Sequence, residues 1–121
     1  MNQIRKLLFA AMLITALFLS ACQSTEFDIR GTWTYEMTDS NQNTYDAGAI
    51  TFEGTPAKGT FRQVNIYDIE YEGTYRVKGT ELILEGDEYW KATFLSADRF
   101  TGDWDHGEEG MRGTVEAVRV P

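Results

Sequence analysis

The chain has 121 residues, 11 Lys and Arg against 19 Asp and Glu, and a formal net charge of −8. That excess of acid excludes binding driven by contacts to nucleic-acid phosphates, and Cys22, the single cysteine, excludes an internal disulfide. A length of this order supports one small domain.

Residues 1–21 have the three parts of an export signal: a basic start at Arg5 and Lys6, an apolar run from Leu7 to Leu19, and small residues before Cys22. The apolar run is shorter than the ~20 residues a spanning helix needs, which points to removal. Leu19-Ser20-Ala21-Cys22 resembles the lipobox of bacterial lipoproteins, in which cleavage precedes the cysteine and the new N-terminus carries the lipid. The other reading is an ordinary secretory signal cut near Ala21, which would leave Cys22 as a free thiol in an oxidising compartment. The resemblance implies permanent anchoring through several acyl chains, at about 0.8 kcal/mol per buried methylene. Gln23 stands where Asp tends to retain such proteins at the inner membrane, so it also implies an outer-membrane location facing the periplasm. Loss of residues 1–21, which carry Arg5, Lys6 and no acid, leaves 100 residues with net charge −10. Residues 22–28 then form a lipidated tether, its reach roughly 20 Å at ~3.5 Å per residue, and residues 29–121 the domain.

From residue 29 onward the sequence alternates. In Gly31 to Met37 the odd positions are apolar or small and the even ones polar, the period of a half-buried strand. The pattern returns at Ile50 and Phe52; at Ile69, Tyr71, Gly73, Tyr75 and Val77; at Leu82 and Leu84; at Trp90, Ala92 and Phe94; at Phe100, Gly102 and Trp104; and over Gly113 to Val120. Turn-rich stretches separate these runs at Thr38 to Asp46, Gly54 to Lys58, Lys78-Gly79, Gly86-Asp87, Ala97-Asp98 and Asp105 to Gly110. Each is short enough for a hairpin, which predicts an antiparallel meander. A break near Asn65 to Asp68 gives eight strands; without it there are seven. Glycines recur beside aromatic or β-branched residues at Gly31, Gly59, Gly73 and Gly113, where a sheet must bend or make room for a ring. A solenoid of small repeats is the alternative, but the spacing is irregular. The prediction is an all-β fold, a small antiparallel up-and-down barrel of about eight strands, which removes both sheet edges.

These residues resemble the calycin group of lipocalins, fatty-acid-binding proteins and avidins. Lipocalins open their first strand with Gly-x-Trp, here Gly31 and Trp33, and carry near the last strand an Arg that crosses that Trp, matched by Arg119. Arg119 shares the parity of Val115 and Ala117, which lets it face inward at a closed end and lie over the indole, a contact worth roughly 1–2 kcal/mol when desolvated. Phe100 to Trp104, a Gly-rich turn and Ala117 to Val120 also look like the ending of small bacterial lipocalin-like domains. The lipocalin Thr-Asp-Tyr turn motif is absent, and Tyr35 stands where avidins place a polar biotin contact, so biotin binding is not implied.

The acidic stretch Asp103 to Glu109 holds the only His, His106. Asp103, Asp105 and Glu108 are candidate ligands for a hard cation such as calcium, or a solvated acidic hairpin. There is no Gly-x-Ser-x-Gly, no phosphate loop and no zinc spacing, and His106 has no evident nucleophile partner. The expectation is a protein that is not an enzyme and needs no cofactor. Inward parity collects aromatic rings, and those near an open end would line an apolar pocket with phenol hydroxyls as its polar contacts. The candidates are Tyr35, Tyr71, Tyr75, Trp90, Phe94 and Trp104; the other reading of each is core. The expectation is therefore a membrane-anchored envelope lipoprotein whose barrel binds a small hydrophobic molecule. The alternative is a protein-binding module, for instance a hydrolase inhibitor, acting through acidic loops on a basic partner with the barrel plugged.

Overall fold

The computed structural model describes residues 27–107 and 110–121. Eight strands follow in order: β1 (Gly31–Asp39), β2 (Thr44–Gly54), β3 (Lys58–Asn65), β4 (Glu70–Lys78), β5 (Glu81–Glu85), β6 (Tyr89–Ser96), β7 (Arg99–Asp105) and β8 (Arg112–Arg119). Each pairs antiparallel with its sequence neighbour, and β8 returns to β1 with Arg119 opposite Trp33, closing the barrel. The break between Asn65 and Glu70 is real, so the count is eight.

The predicted parity holds along most strands. Trp33, Tyr35 and Met37 of β1 are buried while Thr34 and Glu36 are exposed. The same alternation buries Ile50 and Phe52, Tyr75 and Val77, Leu82 and Leu84, Trp90, Ala92 and Phe94, Phe100 and Trp104, and Val115 and Ala117. Ile69 departs from it: it is 49% exposed because it belongs to the turn before β4. Its N–H is held by the Asn65 side chain and its carbonyl by the Asn65 N–H, so it cannot join the ladder. Ile83 departs the other way. It faces outward yet is buried, between its cross-strand partners Arg76 and Lys91, long side chains whose stems can cover apolar surface.

Rings fill the interior, and glycines admit them. A Cβ on Gly59 would meet the Tyr75 hydroxyl at 2.8 Å, and one on Gly73 the Phe61 ring at 2.6 Å. Only glycine leaves that space, so each sheet position and its neighbouring ring specify one another.

The two ends differ. One carries the chain's entry into the domain at Phe27, the C-terminus, and the β2–β3, β4–β5 and β6–β7 turns. There the Arg119 guanidinium carbon lies 4.5 Å from the centre of the Trp33 ring. Arg119 donates to the carbonyls of Arg30 (2.7 Å) and Ala97 (3.0 Å), to the Asp28 carbonyl, and to the Asp98 carboxylate (3.1 Å). Trp33 Nε1 donates to the Ile29 carbonyl at 2.8 Å, and Trp33, Phe94 and Phe100 pack ring to ring. This end is closed.

Candidate functional site

The opposite end, the mouth, is framed by the β1–β2, β3–β4, β5–β6 and β7–β8 turns. The innermost inward positions are aromatic and aliphatic, and on one side of the barrel those closest to the mouth turn polar: Asp46 on β2, Gln63 and Asn65 on β3, Tyr71 on β4, and Glu88 just before β6. Strand periodicity forces them there, since they share parity with Ile50, Phe61, Tyr75 and Trp90 respectively.

Some of these groups are spent on structure. Asn65 Oδ1 accepts the N–H groups of Tyr67 (2.9 Å) and Ile69 (3.0 Å). The Tyr35 hydroxyl donates to Asp46 Oδ2 at 3.3 Å, and its ring lies 5.5 Å from that of Trp90. Burial holds the Tyr35 phenol far above its ordinary titration range; the nearby Gln63 amide opposes this, and the Asp46 and Glu88 charges reinforce it.

Two groups are not spent. Gln63 is 2% exposed, and its buried Nε2, which lies toward the Tyr35 hydroxyl closely enough to act on that phenol, makes no hydrogen bond of acceptable geometry among the described residues. Glu88 Oε2 is likewise buried without a partner. Burial pushes the Glu88 carboxyl up to about 7; His106 opposes the shift, and Asp46 and Asp87 add to it. Both side chains border a cavity of about 10 Å³, whose other walls are Phe61, Tyr71, Leu84, Asp87 and Trp90. That is room for about one water. Gln63 offers a donor there, and Glu88 an acceptor, or a donor and an acceptor when protonated. A buried amide or carboxyl without a partner costs on the order of 1–3 kcal/mol.

Of the residues predicted to line a pocket, the mouth brings together Tyr35, Tyr71 and Trp90. Trp104 lies at the same end, stacked under Tyr45 at 4.4 Å, with Nε1 donating to the Thr38 carbonyl at 3.0 Å. Tyr75 and Phe94 are elsewhere, in the core toward the closed end. The Tyr75 hydroxyl donates to the Thr55 carbonyl at 2.5 Å, and Phe94 packs on Phe27 and Trp33. Asp103 and Asp105 point outward, and Asp105 Oδ1 accepts the Gly107 N–H at 2.6 Å in its turn. Among the described residues no three His, Cys, Asp or Glu side chains are gathered as a metal site. Glu108, Cys22, the signal 1–21 and tether residues 22–26 lie outside the described residues.

No family model matches the sequence, and no curated protein matches it. Solved structures do. A redesigned β-barrel superposes with a TM-score of 0.65 at 16% identity, covering 81% of this chain and 100% of its own. A de novo designed fluorescence-activating β-barrel gives 0.56 at 17% identity, covering 77% and 94%. A third structure, solved with DFHBI bound, gives 0.55 at 15% identity over the same shares. At these identities the similarity is one of fold, a closed eight-stranded antiparallel barrel.

Proposed function

We propose that the chain is a non-catalytic binding module, held at a cell envelope through lipid on Cys22, that takes a small, largely apolar molecule with one polar group at the barrel's mouth. The observation that carries this reading is the pair of buried groups without partners, Gln63 Nε2 and Glu88 Oε2, set against Phe61, Leu84 and Trp90. A ligand whose polar edge offers an acceptor to Gln63 and a donor to Glu88 would satisfy both, and its apolar body would cover the rings. The ligand does not enter the barrel's centre, which Trp33, Phe52, Phe100 and Trp90 already fill. Tyr71, partly exposed at the rim, is the side chain that would have to turn outward to admit it. One of the barrels that this chain resembles in fold was solved with DFHBI bound. The chain enters the domain at the closed end, so a short tether from Cys22 would set that end against the membrane and leave the mouth facing away.

The test is an NMR titration of the soluble domain, residues 23–121, with a library of small amide- and lactam-bearing aromatic fragments. Binding at the mouth moves the Gln63 side-chain amide and the Trp90 indole resonances together, and Gln63→Leu removes the response while the domain stays folded. Fragments that shift only surface amides, or none that bind, would overturn the reading.

A further inference from the structure

The β3–β4 turn displays Ile66 at 65%, Tyr67 at 74% and Ile69 at 49% exposure. Three large apolar side chains within four consecutive residues, all turned to solvent, are not needed to make this turn. Its geometry is set by the backbone and by Asn65. Asn65 Oδ1 accepts two N–H groups, the Asn65 N–H donates to the Ile69 carbonyl (3.0 Å), Asp68 N–H donates to the Asn65 carbonyl (3.0 Å), and Ile66 N–H donates to the Ala47 carbonyl (2.9 Å). Asp68 adopts φ 60°, the left-handed conformation that Asp tolerates in turns. The turn would fold as well with polar residues at 66, 67 and 69. Instead it holds an apolar patch on a hydrogen-bonded turn, which lowers the ordering cost a partner's binding must overcome.

The surroundings select among occupants. Asp68 lies within the turn, Glu70 and Glu72 follow it on β4, and Asp46 and Asp87 face the same end; Arg62, a nearby cation, is paired with Glu70. This acidic collar opposes a second copy of the chain, which would bring like charges together, and opposes anionic lipid. The turn also lies at the end opposite Phe27, away from where the chain enters the domain.

We propose that the 66–69 turn is a docking element for another protein, one that offers an apolar pocket to Tyr67 bordered by cationic side chains. Tyr is the residue type that anchors such contacts, with a large rigid ring and a polar tip. The docking does not depend on a ligand in the mouth.

The test replaces Tyr67 with the photo-crosslinking residue p-benzoylphenylalanine in the full chain, expressed in its cells of origin, with position 114 on the outer wall as control. The expected result is an adduct with one other protein, absent from position 114, whose crosslinked peptide places Lys or Arg beside apolar residues. Its yield falls about tenfold or more in an Ile66→Ser/Ile69→Ser background and at high salt, where steering and rim attraction are screened. Those positions are exposed, so the double variant keeps the parent's melting temperature, and Gln63→Leu leaves the adduct unchanged. Adducts with a second copy of the chain, with lipid, or with an acidic protein surface, the same adducts from position 114, or no adduct would each overturn the proposal.

Discussion

Replacing Glu88 by Gln isolates the electrostatics of the mouth. Burial raises the Glu88 carboxyl from 4.5 to about 7 in the folded protein, whereas in the unfolded chain it ionises near 4.5. Between about pH 4.5 and 7 the folded state therefore keeps a proton that the unfolded state has lost, and stability falls as pH rises through that window. At 1.36 kcal/mol per pH unit the ceiling is ~3 kcal/mol; the side chain is partly open to water, which reduces it to about 1–2 kcal/mol. Glu88→Gln removes the charge and keeps the shape. The variant should match the parent at pH 4 within ~0.5 kcal/mol and exceed it by about 1–2 kcal/mol at pH 8, a melting shift of several degrees for a domain of this size. Urea unfolding followed by Trp fluorescence at pH 4, 6 and 8 reads the difference directly. A gap between parent and variant that does not change with pH, or a variant less stable at pH 8, would refute the placement of Glu88 in a partly desolvated site.

The closed end and the wall give further expectations. Trp33→Ala truncates a fully buried ring and should cost about 3–5 kcal/mol, read by calorimetry; a near-neutral melt would remove the basis for the closed end. Arg119→Lys keeps the charge but loses the fork that reaches three backbone carbonyls, and should cost about 2 kcal/mol in urea unfolding. Gly73→Ala places a methyl 2.3 Å from the Glu85 carbonyl oxygen and against the Phe61 ring, so a loss of about 1–3 kcal/mol is expected in the same assay. Cys22→Ser should move the full-length chain from the detergent phase to the aqueous phase in a phase-separation assay; retention in detergent would defeat the lipid-anchor reading.

The barrel was legible because period-two alternation in short runs separated by turn residues leaves few architectures, and because Gly31, Trp33 and Arg119 marked where the sheet closes on itself. The β3–β4 break was the least visible, since it has no Gly or Pro: its turn is made by Asn65 folding back on its own backbone and by Asp68 at positive φ. That also explains Ile69, whose parity with Tyr71 is genuine but irrelevant once its backbone belongs to the turn. At the mouth the signal lies in the sequence itself. Gln63 shares the parity of Gly59 and Phe61, and Glu88 that of Trp90 and Ala92, so each is a polar residue in an inward column. Tyr75 and Phe94 share the inward parity of the mouth residues yet sit in the filled core, because parity gives the face of a residue but not its depth along the barrel axis.

The two ends of this one sheet handle their polar groups differently, and that contrast is the strongest reason to place function at the mouth. At the closed end the polar tips among the rings are matched: Trp33 Nε1, the Tyr75 hydroxyl and the Arg119 guanidinium all reach backbone carbonyls, several of them across long sequence separations. Among the described residues, the two buried side-chain groups without partners are both at the mouth. Selection for stability alone would put Leu or Met at position 63 and a short polar residue at 88, since each orphaned group costs on the order of 1–3 kcal/mol. A marginally stable domain of about 100 residues tolerates that cost where local rules yield to another demand, and sites of function are where such violations collect. Gln63→Leu separates the two explanations: it should raise stability while removing the response to ligand, whereas a purely structural Gln63 would lower stability when replaced.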